Sequence, residues 1–298
     1  MRILVSGSTG LIGSALVPLL KAAGHEVSGL VRGVPSALKG EVHWSPTAGK
    51  LDTAPIEETE VVIHLAGENV AGRWSEEKKR NILESRVKGT TLLSETIARL
   101  MPLPLTLLCA SGIGVYGDRG DERLAENSTS GQGFLAEVCQ QWEAATEVAR
   151  GHGIRVVFLR FGVVLSSQGG ALKKMLLPFK LGLGGKIGGG QQYMSWIDID
   201  DAVGAILHAM EKPSMEGPVN VVAPNAVPNL EFTQTLGRVL GRPTVLPMPA
   251  FAARLAFGEM ANDLLLSSQR VAPQKLQQSG YSFKYSTLEA SLRHVLGK

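Results

Sequence analysis

A doubly wound parallel α/β sheet is the fold this sequence predicts, and three observations carry the prediction. Ile3, Leu4 and Val5 form a short β-rich run that breaks into Gly7, Gly10 and Gly13, after which Leu11, Ala15, Leu16, Leu19 and Leu20 repeat with a helical period up to Gly24. Apolar strand-like runs then alternate with helical stretches several times, as parallel strands joined by crossover helices do. The glycines fall between the first strand and the first helix, where a βαβ unit receives a pyrophosphate. Together these predict a Rossmann-type sheet over residues 1–161. A smaller, mostly helical substrate-side part follows over 162–298, with a strand and helix around 196–222 rejoining the sheet.

Each turn glycine has a physical reason. One allows the tight exit from the strand, one lets a phosphate approach the backbone, and one packs helix on strand, so that free N–H groups and the positive helix end face the phosphates. The second strand, Val27–Val31, ends in Arg32, where an acid would receive the ribose 2′-hydroxyl of NAD. An arginine suits the 2′-phosphate instead, so NADP(H) is expected ahead of NAD(H).

The 298 residues suffice for about two domains, and 44% hydrophobic with 19% charged residues is a globular balance. A formal net charge of +3 gives no reason to expect a nucleic-acid or membrane partner. Cys109 and Cys139 stand outside any CxxC or Cys/His cluster, so neither a disulfide framework nor a metal site is expected. No apolar stretch approaches a membrane span and no leader pattern opens the chain, so a cytoplasmic setting is the expectation.

Val42–Trp44 reads as a short strand, and Val61–Gly67 (VVIHLAG) as a buried strand ending in a small-residue turn, with His64 as a core histidine. Ser75 caps a long amphipathic helix opening with Glu76 and Glu77, which Pro102 and Pro104 end. Leu105–Cys109 is the next strand and opens into ASGIGVYGD (110–118), with Tyr116 offering a phenol. Asp121–Gln132 is an acidic loop without pattern. Phe134–Arg150 reads as one helix and Ile154–Phe161 as a strand. Beyond Gly162, the glycine-dense Gly182–Gly190 reads as a substrate-side lid, and Asp200 or Asp201 as the cap of a helix over 202–210. Val219–Val222 is a strand, Leu230–Leu240 a helix, and the chain beyond Pro247 is mostly helical.

GSTGLIG, HLAG, VKGTTLL and SGIGVYGD resemble the extended short-chain dehydrogenase/reductase superfamily. LAGENVAGRW, ESRVKGTTLL, LRFGVVLSSQGGALKKMLLPFKLGLGG and SWIDIDD are similar, more narrowly, to the YfcH-like epimerase family, over nearly the whole chain. That resemblance implies a cofactor held by Gly7, Thr9, Gly10, Leu11, Ile12 and Gly13 at the pyrophosphate and Arg32 at the 2′-phosphate. Leu65, Ala66, Gly67 and Glu68 would follow the adenosine half, with Arg86, Ser111 and the segment at Pro178 completing its surroundings. It implies an oxidoreductase or epimerase-like enzyme on a small polar substrate such as a nucleotide sugar. A homodimer through helices 75–100 and 134–150 is a further implication.

One departure is chemical. The superfamily uses Tyr-x-x-x-Lys on a helix, the ammonium lowering the phenol pKa for proton exchange. None of the four tyrosines here has a lysine four residues on; the expected places hold Leu135 and Cys139, and Arg86 stands where asparagine is usual. Ser111 and Tyr116 are the candidate catalytic groups, with Glu68, Arg73 and Trp74 nearby, while Glu143 and Trp142 read as helix packing. The alternative is a non-catalytic NADP-binding regulator, since the family includes proteins tied to cell and plastid division.

Overall fold

The computed structural model describes residues 1–298, apart from the side chain of Ala37. From the start of the chain, β1 (Arg2–Ser6), α1 (Leu11–Ala22) and β2 (Glu26–Val31) form the first βαβ unit, followed by β3 (Glu41–Ser45) and the short β4 (Lys50–Leu51). β5 (Val61–His64), α2 (Glu76–Ile97) and β6 (Thr106–Gly112) continue the alternation. After β7 (Arg123–Leu124) come α3 (Phe134–Ala144), α4 (Glu147–Gly151) and β8 (Arg155–Phe161).

The second half holds β9 (Val163–Leu165), α5 (Gly170–Lys180), β10 (Tyr193–Met194), β11 (Trp196–Asp198), α6 (Ile199–Glu211), β12 (Gly217–Val221) and β13 (Val227–Pro228). It closes with α7 (Asn229–Leu240), α8 (Ala250–Phe257), β14 (Arg270–Val271), α9 (Gln274–Gln278) and α10 (Leu288–Leu296).

Eight strands make the central sheet in the order β12-β8-β6-β5-β1-β2-β3-β4, parallel except for the antiparallel β3–β4 pair. The strand order reverses beside β1, between β5 and β2, and in sheets of this kind ligands bind at such a switch point, outside the carboxyl ends of the strands. Period-2 alternation sends successive β1 side chains to opposite faces: Ile3 and Val5 join Leu16, Leu20 and α6, while Leu4 joins Leu93, Ile97 and Trp142. β12 pairs with β8 in register and α6 packs on α1, so the late strand and helix belong to this sheet. A third core of Leu172, Phe179, Trp196, Phe232 and Leu292 gathers α5, α7 and α10.

Three local expectations are corrected. The stretch 134–150 is two helices, because the Thr146 hydroxyl takes the Glu143 carbonyl at 2.8 Å and closes α3. The cap of α6 is Asp198, neither Asp200 nor Asp201: its carboxylate accepts from Asp200 N at 2.9 Å. Asp201 instead accepts from Lys284 N, Tyr285 N and the Tyr281 hydroxyl, pinning the C-terminal segment. The acidic loop 121–132 contains β7, which pairs with β14. No helix is long and apolar enough to cross a membrane.

Candidate functional site

The turn after β1 is shaped by what a Cβ would strike. Gly7 has φ +70° and lies against the backbone of Leu65 and Ala66; a methyl there would come within 2.8 Å of Leu65 C. A methyl on Gly13 would collide with the Gly7 carbonyl and come within 2.8 Å of Ser8 Cα. Gly10 is the N-cap of α1 and offers no side-chain acceptor. The first N–H groups of α1, from Leu11, Ile12 and Gly13, therefore keep their donors for a ligand anion. Thr9 is exposed beside them, and Arg32 lies exposed just past the end of β2.

The neighbouring turn is fixed by a buried relay. Ser6 Oγ accepts from Leu65 N and Ala66 N, both at 3.2 Å, so its own proton goes to His64 Nδ1 at 2.5 Å. That leaves His64 Nε2 as the protonated nitrogen, donating to Thr90 Oγ1 at 2.9 Å. His64 is fully buried, and burial together with the nearby Arg86 charge pulls its pKa down to about 4. The core-histidine reading thus describes a neutral strut that ties α2 and β1 to the Leu65–Gly67 turn.

Beside this turn, charge is positive. Arg86 donates to Glu68 O and Ile82 O at 3.0 Å each, and its guanidinium lies 4.8 Å over the Trp142 ring and 3.2 Å from where a Gly67 Cβ would stand. Burial lowers its pKa without approaching deprotonation at neutral pH. Lys78 holds the Glu68 carboxylate at 2.5 Å, and that hydrogen bond, with the Lys78, Arg32 and Arg86 charges, keeps Glu68 ionised below its usual range. Arg32, Lys78 and Arg86 thus share one electrostatic neighbourhood. Pro178 lies exposed in the last turns of α5, roughly 12 Å along the axis from Gly170 at 1.5 Å per residue. It is the N-terminus of α5 that meets the glycine turn, since Gly169 and Gly170 rest on Leu11.

At the end of β6 the two catalytic candidates fare differently from expectation. Tyr116 is 0% exposed; its hydroxyl donates to Asn220 Oδ1 at 2.8 Å and accepts from Arg160 Nη1 at 3.0 Å. Burial raises its pKa in spite of the Arg160 charge, so this phenol faces the interior as a neutral hydrogen-bonding group. Ser111 is 4% exposed and donates to Glu143 Oε1 at 2.7 Å. Glu143 in turn receives Arg160 through Nε and Nη2, both at 2.8 Å. Glu143 is therefore the centre of a buried network as well as a residue of a packed helix. The network Ser111–Glu143–Arg160–Tyr116–Asn220 was signalled in sequence only by a charge in the apolar strand RVVFLRF, which has to find a buried acid.

The places expected for tyrosine and lysine are apolar in space too. Leu135 packs against Gly114, and Cys139 Sγ sits near Gly112 and Gly114. Burial, with the Glu143 charge, pushes the Cys139 thiol up to about 11, which leaves it uncharged. Asp263, unnoticed in sequence, reaches α3 from the far end of the chain and accepts from Leu135 N at 3.4 Å. The Gly182–Gly190 loop is tied down: Gly188 N donates to Met248 O at 2.9 Å and Ile187 N to Asn229 Oδ1 at 2.8 Å.

Comparison with known proteins agrees with this architecture. Residues 248–295 match a domain of unknown function, DUF1731. The epimerase family protein Mb2239 of Mycobacterium bovis is 43% identical over 98% of this chain and 96% of its own length. The crystal structure of the human epimerase family protein SDR39U1 with NADPH superimposes with a TM-score of 0.91 at 36% identity, covering 100% of both chains. A nucleoside-diphosphate sugar epimerase from Corynebacterium glutamicum matches with a TM-score of 0.83 at 38% identity, this chain spanning 58% of that one. With residues 3–222 matching the NAD dependent epimerase/dehydratase family and relatives of this identity along nearly its full length, the chain belongs to that family.

Proposed function

We propose that the protein is an NADP(H)-dependent oxidoreductase or epimerase-like enzyme acting on a small polar substrate at the carboxyl end of the sheet. The observation that carries this reading is the glycine cradle. Gly7 and Gly13 let the turn fold tightly onto Leu65–Ala66 and onto its own Gly7–Ser8 backbone, where a Cβ would collide. This sets the uncapped start of α1, with its free N–H groups, at the end of β1, and Arg32 stands past β2 for a 2′-phosphate. The NADPH in the SDR39U1 crystal structure supports the same choice.

NADP(H) would supply hydride chemistry; the chain supplies binding and orientation. Gly7 to Gly13 hold the pyrophosphate, Leu65 to Glu68 and Arg86 border the adenosine and ribose half, and Arg32 selects the phosphate. From the second half of the chain it is the start of α5, Gly169 and Gly170, that meets α1, rather than Pro178. Ser111, the hydroxyl at the carboxyl end of β6, is the candidate for contact with the substrate, with its proton directed to Glu143. Tyr116 acts as a positioning residue through Arg160. Because Leu135 and Cys139 are apolar or uncharged, proton exchange with a substrate falls to Ser111 or to a group outside α3.

The deciding experiment titrates purified protein with NADPH and NADH by cofactor fluorescence, then follows NADPH oxidation against a panel of carbonyl compounds and sugar nucleotides. Tight NADPH binding with turnover that falls in Ser111→Ala supports the reading. Equal or tighter NADH binding overturns the cofactor choice. Binding without any turnover across the panel replaces the enzyme with an NADP-binding regulator.

A further inference from the structure

A cavity of about 150 Å³ lies between the loop after β6, the start of α3 and the segment 262–269. It holds about five water volumes at roughly 30 Å³ each, the room of one small ring or chain end. It begins beside Leu135, the helix position where the superfamily tyrosine is missing. Its polar wall consists of Asp118, Gln132, Asn262, Asp263, Ser267 and Gln269, with no lysine, arginine or histidine among the lining residues.

Hydrogen-bond accounting shows acceptors left over. Asp118 Oδ1 accepts from Ser268 N and Gly120 N, and Asp263 Oδ2 from Leu135 N; among the described residues neither side chain's second oxygen has a hydrogen-bond partner. Gln269 spends its Nε2 on Gly117 O, which leaves its carbonyl oxygen available. Ser267 Oγ is buried with no hydrogen-bond partner at all. Lys79, the cation whose charge reaches Asp263, is held by Glu259 at 3.0 Å. Asp118, Gln132 and Asn262 are exposed, with Arg254 Nε donating to Asn262 Oδ1 at 2.9 Å, while Asp263, Ser267 and Gln269 are partly buried, so the inner wall presents free acceptors and the Ser267 hydroxyl to a ligand.

We propose that this cavity is the substrate end of the site and takes a cationic amine on a hydroxylated carbon frame. The ammonium sits between Asp118 and Asp263, and adjoining hydroxyls pair with Ser267 and the Gln269 carbonyl. This rests on the oxidoreductase reading above and adds the substrate class. Charge distinguishes this cavity from the surroundings of the glycine turn. Arg32, Lys78 and Arg86 surround the cofactor side, while two uncompensated carboxylates meet the substrate, so a phosphate or carboxylate at this end is repelled. The residues that close the cavity from the far side lie in the 248–295 match, which gives that domain a role in substrate recognition.

The test uses NADPH-loaded full-length protein with EDTA present, titrated by ligand-observed NMR with glucosamine, glucose and glucuronate. Glucosamine is expected to bind about tenfold tighter than glucose, the scale of one hydrogen bond to a charged group, and glucuronate not to bind. Asp263→Asn and Asp118→Asn should each erase that preference without altering NADPH affinity. Glucuronate binding as tightly as glucosamine, a preference unchanged in both variants, or no glucosamine binding to protein that holds NADPH would each overturn the inference. A protein that fails to take up NADPH removes the oxidoreductase reading, and this inference with it.

Discussion

Arg160 on β8 clasps Glu143 on α3 with two parallel hydrogen bonds of 2.8 Å, the side chains being 8% and 13% exposed. This fork holds a strand end and a helix at fixed spacing, and it orients the Ser111 and Tyr116 hydroxyls at once. Arg160→Met would leave the Glu143 carboxylate buried and unpaired, a loss of about 3–5 kcal/mol. Urea denaturation should register that loss, and Arg160→Met combined with Glu143→Leu should recover most of it. A single variant as stable as the parent would refute the pairing's role.

Gly13→Ala runs against helix propensity. Inside a helix the change ordinarily stabilises by about 1 kcal/mol. Here the new methyl meets the Gly7 carbonyl and Ser8 Cα, so the turn must open, and both thermal stability and NADPH affinity should fall. Gly151→Ala in α4, whose methyl would meet nothing within 4 Å, is the matched control and should be neutral or stabilising. Calorimetry and cofactor titration on the two variants separate the cases.

Arg32→Ala should weaken NADPH about tenfold or more while leaving NADH nearly unchanged, because a charge-assisted bond to phosphate contributes about 1.5–3 kcal/mol. The readout is the ratio of the two dissociation constants. A parallel loss for both cofactors would place Arg32 elsewhere than at the 2′-phosphate.

His64 makes stability fall in acid. Its folded pKa of about 4 lies below the ordinary 6.5, so between these values the unfolded chain binds a proton that the folded chain refuses. The stabilisation is whole above pH 6.5 and is lost as pH falls toward about 4. The difference of about 2.5 at 1.36 kcal/mol each amounts to about 3 kcal/mol. His64→Gln should be less stable at neutral pH but should show a flatter dependence between pH 6.5 and 4, read from denaturation midpoints. An unchanged slope would mean that other groups carry the acid sensitivity.

What could be read from sequence follows from distance along the chain. The β1 turn, the Ser75 cap and the alternation of strand and helix depend on residues within a few positions, so propensity and periodicity find them. The Asp198 cap is not legible locally because three acids compete within four residues, and what excludes Asp201 is that the distant Tyr281 hydroxyl, Lys284 N and Tyr285 N claim its carboxylate. Tyr116 carries a reactive group in a glycine-rich loop, yet Asn220, 104 residues away, claims its hydroxyl. Asp263 meets Leu135 across 128 residues, and no local pattern announces that encounter.

The loop after β6 is stitched to the C-terminal stretch along its length. Arg119 N donates to Ser268 O, Ala272 N to Leu124 O and Lys275 N to Glu126 Oε1, with β7 paired to β14 between them. The two stretches that match separate families are in that sense one object. A chain cut between Val222 and Met248 would lose the outer rail that holds the loop after β6 in place, so neither fragment can be exchanged between relatives as an independent cassette.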